Sequence, residues 1–197
     1  MNFLAHFYLA FNDNQLLTGQ FAGDHVRGRQ LDHFPERIAN GIRLHRFIDN
    51  CTDNYETNKE LRQRIRPYFG LWSPVAIDLY YDHFLALKWQ NYHNTDLQLF
   101  AHNCYTTLQG QNLWLNEEAK QVLFYMEKHN WLGSYHTTEG IGRAFQGLSR
   151  RVVRGDVLSL GPAVLEEHGA YIEECFDNFF PQLIGETKNK LITFASV

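Results

Sequence analysis

Apolar residues recur every three or four positions along nearly the whole chain, the rhythm of amphipathic helices. In DHFPERIANGIRLHRFIDNCTDN, Ile38, Ile42, Leu44, Phe47 and Ile48 follow Pro35, which sits early, where a helix tolerates it. YETNKELRQRIRPYF reads as a short basic helix that stops near Pro67. SPVAIDLYYDHFLALKW opens with Ser73 as N-cap and Pro74 in the first turn, then runs apolar to Trp89. DLQLFAHNCYTTLQ, NEEAKQVLFYMEKHN and TTEGIGRAFQGLSRRV are three further helices, the last capped by Thr138 and Glu139. The long C-terminal segment from Gly161 is amphipathic, and Pro181 is expected to kink or divide it. Only RVVRGDVLSL could pass for a strand. The prediction is all-α: one compact multi-helix domain over residues 1–197, with about seven to nine helices of ordinary length.

Composition narrows the functional classes. The chain has 197 residues, 44% hydrophobic and 20% charged, which is ordinary for a globular protein. Its 15% aromatic share points to a core filled by large side chains. The net charge of −4 argues against a general nucleic-acid binder. Cys51, Cys104 and Cys175 are far apart and odd in number, so neither a zinc ribbon nor a disulfide framework is indicated and a reducing cytoplasm is the simplest compartment. The apolar start lacks the basic residues of a signal peptide. No apolar run approaches the roughly 18 residues of a membrane span.

Acids and imidazoles interrupt the apolar helices in three places. His45, Asp49 and Asp53 lie at intervals of four, hence on one helix face. Asp78 and Asp82 are also four apart, followed by His83, on a helix apolar on most sides. Two like charges at that spacing repel, and burial raises the cost, so a nearby cation is required. Asp24, in GQFAGDHVRGR, is the third. Oxygen and imidazole donors together suit Mn²⁺, Fe²⁺, Mg²⁺ or Zn²⁺; the lack of thiolates weighs against a closed structural zinc site. For Asp53, near a helix end, the competing reading is half of an ordinary ion pair. By spacing alone, His6 is a hydrogen-bonded core histidine.

Arginines are unevenly spread. Arg27 and Arg29 follow Asp24; Arg62, Arg64 and Arg66 alternate in one helix; Arg143, Arg150, Arg151 and Arg154 cluster late. Each group is either a solvated face or a site for phosphate or an acidic partner.

MNFLAHFYLA, GQFAGDHVRGR, GIRLHRFIDNCTD and IDLYYDHFLALKW, from Met1 to Trp89, resemble the acyl carrier protein phosphodiesterase family in order and spacing. Gln20 stands where asparagine is expected, and His25 where an aromatic residue is usual. The resemblance implies a distant kinship to the HD phosphohydrolases, all-helical enzymes whose metal is held by His and Asp. It implies hydrolysis of 4′-phosphopantetheine from holo acyl carrier protein, with Mn²⁺ the favoured metal and Mg²⁺ or Fe²⁺ as substitutes.

On that basis Asp24, His45, Asp49, Asp78, Asp82 and His83 are the expected metal ligands. His6, His45, Arg46 and Asp53 are the expected catalytic residues, with His6 or His45 as general acid and Arg27 or Arg46 neutralising charge on the phosphoryl group. Arg27, Arg29, Arg62, Arg64 and Arg66 are expected to bind the substrate. No nucleic-acid or membrane partner is expected. Two other readings stay open: an HD-like phosphohydrolase acting on a nucleotide, and a non-catalytic, metal-stabilised helical module that docks a partner.

Overall fold

The computed structural model describes residues 1–28 and 31–195, and all their regular structure is helical. The α-helices are α1 (Phe3–Tyr8), α2 (Asn14–Ala22), α3 (Glu36–Asn54), α4 (Glu56–Phe69), α5 (Ser73–Leu87), α6 (Trp89–Tyr92), α7 (Leu97–Gly110), α8 (Glu117–Lys128), α9 (Trp131–Ser134), α10 (Thr138–Ser149) and α11 (Gly161–Ala195). Four 3-10 turns join them, at Gly23–His25, Gly70–Trp72, Asn112–Trp114 and Gly155–Leu160. The excess over the expected number comes from the single turns α6 and α9 and from the opening segment, which forms α1 and α2.

Local chemistry explains most element ends. Asp13 caps α2 by accepting from the amides of Gln15 and Leu16, and it also accepts from Arg37 Nε at 2.8 Å. Gly70, at φ +56° and three residues past Pro67, ends α4. Ser73 is the first residue of α5 rather than its cap, and its hydroxyl donates to Gly70 O at 2.8 Å. Thr137, not Thr138, caps α10, its Oγ1 accepting from Gly140 N at 2.9 Å.

The strand-like RVVRGDVLSL forms a turn and the 3-10 segment Gly155–Leu160, with Arg154 in the left-handed region at φ +58° and no strand to pair with among the described residues. Pro181 does not divide α11. It lies on the exposed face, as does Asp177, whose carbonyl loses its helical partner, while Phe176, Phe179, Phe180 and Leu183 are buried around it.

α2 and α3 make the closest helix contact. A Cβ on Gly19 would fall on Ile38 O, and one on Gly41 would fall on Leu16 O. This backbone-to-backbone approach places the C-terminal end of α2 and the turn after it against the middle of α3. The core is aromatic, as the composition suggested: Phe69, Tyr80, Phe145, Phe176, Phe179 and Phe180 are all within 1% of full burial. The hydroxyls of the two buried tyrosines on α5 are satisfied, Tyr80 OH donating to Gly161 O at 2.8 Å and Tyr81 OH to Asn58 Oδ1 at 2.6 Å. Among the described residues no helix is long and apolar enough to cross a membrane.

Candidate metal centre

Three elements meet at one group of side chains. α1 supplies His6, α3 supplies His45 and Asp49, and the turn after α2 supplies Asp24. The four-residue spacing on α3 brings His45 Nε2 to 3.1 Å from Asp49 Oδ2, and Asp24 Oδ1 lies 3.3 Å from the same nitrogen. His6 Nε2 is 3.1 Å from Asp49 Oδ1. The two imidazoles stack with centroids 4.1 Å apart and planes at 19°. Gly23 makes room for this: a Cβ there would collide with the His45 ring. Both histidines are almost fully buried, whereas Asp49 and Asp24 reach solvent, so the group opens outward on its acid side.

Gln20 fixes how His6 can act. Its Oε1 lies 2.9 Å from His6 Nδ1. With Gln20 Oε1 accepting in this orientation, Nδ1 carries the proton and Nε2 presents its lone pair, while Gln20 Nε2 is left buried without a partner. That lone pair faces two oxygens, Asp49 Oδ1 at 3.1 Å and Met1 O at 3.0 Å. Burial and the His45 cation push the His6 pKa below its ordinary 6.5, against the pull of Asp49. A neutral imidazole at neutral pH leaves its Nε2 lone pair, Asp49 Oδ1 and Met1 O converging, with the Met1 amino group 3.5 Å from the same Asp49 oxygen.

The remaining charges are tightly coupled. Burial opposes a charge on His45, but hydrogen bonds and attraction from Asp24 and Asp49 hold its imidazolium up to about 9. Burial would raise Asp49, yet the Met1 amino group, His6 and His45 hold it far below the carboxylate range. Asp24 is likewise lowered, against its burial, by His45. The Met1 amino group lies 3.5 Å from Asp49 Oδ1 and 2.9 Å from Asp78 Oδ1. Burial would discharge it, but Asp78 and Asp49 raise it to about 11. Asp78 itself is pushed by burial up to about 6, against that amine. It therefore joins the group only through Met1.

Asp82 and His83, both expected ligands, are not brought to this group. Asp82 is fully buried, and its two oxygens accept from Leu4 N at 2.7 Å and Ala5 N at 3.0 Å. These are the open amides of the first turn of α1, whose N-cap residue Asn2 makes no side-chain cap. Burial pushes its carboxyl up to about 7, against those two hydrogen bonds. His83 Nδ1 is committed to Tyr135 O at 2.6 Å, on the side of α5 toward α9.

The other expected residues are dispersed. Asp53 pairs with Arg62 Nη2 at 2.7 Å, half of an ion pair at the end of α3. Arg46 Nη2 donates to Val26 O at 2.9 Å and so straps the segment that follows Asp24. Arg27 is exposed on that segment, and Arg29 lies outside the described residues. Arg64 stacks over Tyr171 of α11 at 4.3 Å. Arg66 is exposed in a groove shared with Leu71, Val153 and Arg154. Arg64 therefore points away from Arg62 and Arg66, which are four apart and share a face of α4, and Arg62 is already paired with Asp53. Gln20, Gly23 and the Met1 amino group are features of the site that spacing did not single out. Gln20 was visible only as a departure from the expected asparagine.

The family model described as acyl carrier protein phosphodiesterase matches residues 1–183. The chain belongs to that family. Relatives named acyl carrier protein phosphodiesterase include one from Klebsiella pneumoniae, 33% identical over 192 residues, which are 96% of this chain and 99% of the relative. One from Photorhabdus laumondii is 29% identical over 191 residues, 96% of each chain. One from Salmonella dublin is 30% identical over 194 residues, 98% of this chain and 100% of the relative. The family is one of phosphodiester hydrolases. The helices that carry His6, Gln20, Asp24, His45 and Asp49 all lie inside the matched span. No solved structure matches the chain.

Proposed function

We propose that the chain is a divalent-metal-dependent phosphodiesterase that removes 4′-phosphopantetheine from holo acyl carrier protein, leaving the apo protein. The carrier protein as substrate rests on the family name and its relatives. Kinship to the HD phosphohydrolases belongs to the same reading, as does a cytoplasmic site of action, with which the three free cysteines agree.

The observation that carries the metal is the His6 nitrogen. Its lone pair, Asp49 Oδ1 and Met1 O converge within about hydrogen-bond distance, with the Met1 amino group 3.5 Å from Asp49 Oδ1 and the His45 imidazolium 3.1 Å from Asp49 Oδ2 as the charges beside them. His6, His45 and Asp49 each offer a ligand atom, all within 4.8 Å of one another. Nitrogen and oxygen donors of this kind suit Mn²⁺, with Mg²⁺ or Fe²⁺ as alternatives. Asp24 is placed to join them. A divalent cation bound there supplies a Lewis acid that acidifies a water and polarises the phosphoryl oxygens.

The chain's own residues do the rest. Gln20 holds the His6 ring in the ligating tautomer, the task an outer partner performs at many metal histidines. Arg46 holds the segment carrying Asp24 and Arg27, and Arg27 offers its guanidinium to the phosphodiester charge. The buried apolar surroundings of α1 and α3 keep both imidazoles in place before substrate arrives. A nitrogen that ligates cannot also donate a proton, so use of His6 and His45 as ligands removes their Nε2 atoms as general acids.

The proposal is tested by incubating purified protein with holo carrier protein and following intact mass. Chelated protein is expected to leave the substrate whole, and added Mn²⁺ to restore loss of the phosphopantetheine group. Turnover by protein shown to be metal-free would refute the reading.

Metal uptake is also expected to follow pH. His45 holds its proton up to about 9 in the metal-free protein, and ligation needs the bare nitrogen, so binding expels that proton. Apparent Mn²⁺ affinity should rise about tenfold for each pH unit between 7 and 9 and then level off. Titration calorimetry at several pH values measures this; a flat affinity would mean that His45 is not a ligand.

Docking of an acidic carrier protein needs a local basic face, because this chain is itself acidic. Arg66 and Arg154 flank exposed Leu71 and Val153 in one groove, and among the described residues neither arginine has a carboxylate partner. Reversing both to Glu is expected to raise KM for the carrier protein, most at low salt, and to leave turnover of a small phosphodiester unchanged. Equal losses on both substrates would place the effect in the fold.

A further inference from the structure

A cavity of about 290 Å³ lies between the start of α1, the middle of α5, and α9 with α10. It is near the roughly 300 Å³ at which small-ligand pockets begin, large enough for one slender molecule and too small for a protein helix. Phe3, Leu79, Trp131, Ala144 and Leu148 give it an apolar lining. The polar atoms around it satisfy one another: Asn2 Nδ2 donates to Tyr135 OH at 3.3 Å, and Ser134 Oγ donates to Trp131 O at 2.9 Å. The interior therefore offers little to a polar guest. An apolar cavity of this kind excludes water but welcomes hydrocarbon.

The mouth is different. Arg143 and Arg151 both line it. Arg143 lies 3.8 Å from Glu139, its one carboxylate partner among the described residues, and both of these side chains are more than half exposed. Arg151 lies 5.2 Å over the Trp131 ring, and its Nε donates to Gly147 O at 3.1 Å. Among the described residues no carboxylate pairs with Arg151. Two guanidinium groups thus stand at the rim of a hydrocarbon-lined hole. Space at the rim is open: a Cβ on Gly147 would meet nothing closer than Arg151 Nη2 at 3.9 Å.

We propose that this cavity is a binding site for a medium-length fatty carboxylate, with the chain among Phe3, Leu79, Trp131, Ala144 and Leu148 and the carboxylate on Arg143 and Arg151. Hydrocarbon burial supplies the affinity of the chain, and charge-assisted, bidentate hydrogen bonds fix the head. The site is separate from the metal centre but joined to it by covalent neighbours. Asn2 and Phe3 follow Met1, whose amino group contacts Asp49 and Asp78, and Leu79 follows Asp78. The inference does not depend on the carrier-protein reading, because binding is measured with no phosphodiester present.

The test is calorimetric titration of the intact protein with decanoate and, separately, with 1-decanol. Wild-type protein is expected to bind decanoate with a Kd at or below roughly 1 mM. The double variant Arg143→Gln/Arg151→Gln should bind decanoate about tenfold more weakly while holding 1-decanol as the wild type does. Gly147→Leu, which extends a side chain into the open rim of a helix, should stay folded and lose both ligands. Absence of decanoate binding to the wild type would overturn the proposal. So would a Gly147→Leu protein that binds decanoate normally, or a double variant that binds decanoate and decanol unchanged.

Discussion

Asp49→Asn is expected to lower kcat on holo carrier protein more than about 100-fold, and to weaken Mn²⁺ binding by at least as much, because even outer partners of a metal site are worth 10–100-fold. Asp49 stands within 3.5 Å of His6, His45 and the Met1 amino group, and every other charge of the site is tuned by it. Asparagine keeps the shape and loses the charge, so the helical fold should survive. Circular dichroism, metal titration and turnover together measure this. A folded Asp49→Asn protein that keeps its Mn²⁺ affinity would remove Asp49 from the site.

Asp82→Ala is expected to act on the fold instead. Its carboxylate spans two helices by accepting the first open amides of α1. Alanine leaves both donors buried and unpaired, at about 1–3 kcal/mol each, so about 2–6 kcal/mol in all, of which the lower half, about 3 kcal/mol, is the expectation for amides at a helix end that water can reach on relaxation. For a chain of this size that is a fall in Tm of about 6–12 °C. Activity of the surviving folded fraction should persist at low temperature, with Mn²⁺ affinity close to that of the wild type. Thermal unfolding with and without Mn²⁺ checks this. An unchanged Tm with lost Mn²⁺ binding would restore Asp82 as a ligand.

The contrast between Asp49 and Asp82 shows what a sequence of this kind discloses. His45 and Asp49 share a helix face at an interval of four, and that local geometry places them together whatever the tertiary fold. Asp82 looked similar, an acid on an apolar helix that needed a positive partner. Its partner is a pair of backbone amides in α1, 77 and 78 residues away in sequence. An open helix end carries partial positive charge as surely as a cation does, but no residue type marks it. Spacing alone makes His6 a core histidine, and only the resemblance marked it as catalytic; its contact with Gln20 and its stacking against His45 are set by how α1, α2 and α3 pack. The helices were legible from periodicity. That Pro181 leaves α11 undivided, and that the strand-like RVVRGDVLSL run forms a turn and a 3-10 segment, depend on buried aromatics on both sides of the proline and on the lack of a neighbouring strand among the described residues, which are tertiary facts.

Crystals of the protein grown with Mn²⁺ and measured for anomalous scattering test the metal centre most directly. The geometry predicts a peak among His6 Nε2, His45 Nε2 and an Asp49 oxygen, with His6 Nδ1 still on Gln20 and the Asp82 oxygens still on Leu4 N and Ala5 N. A peak centred on Asp82 and His83, or no ordered Mn²⁺ in crystals of enzyme that hydrolyses holo carrier protein, would contradict it.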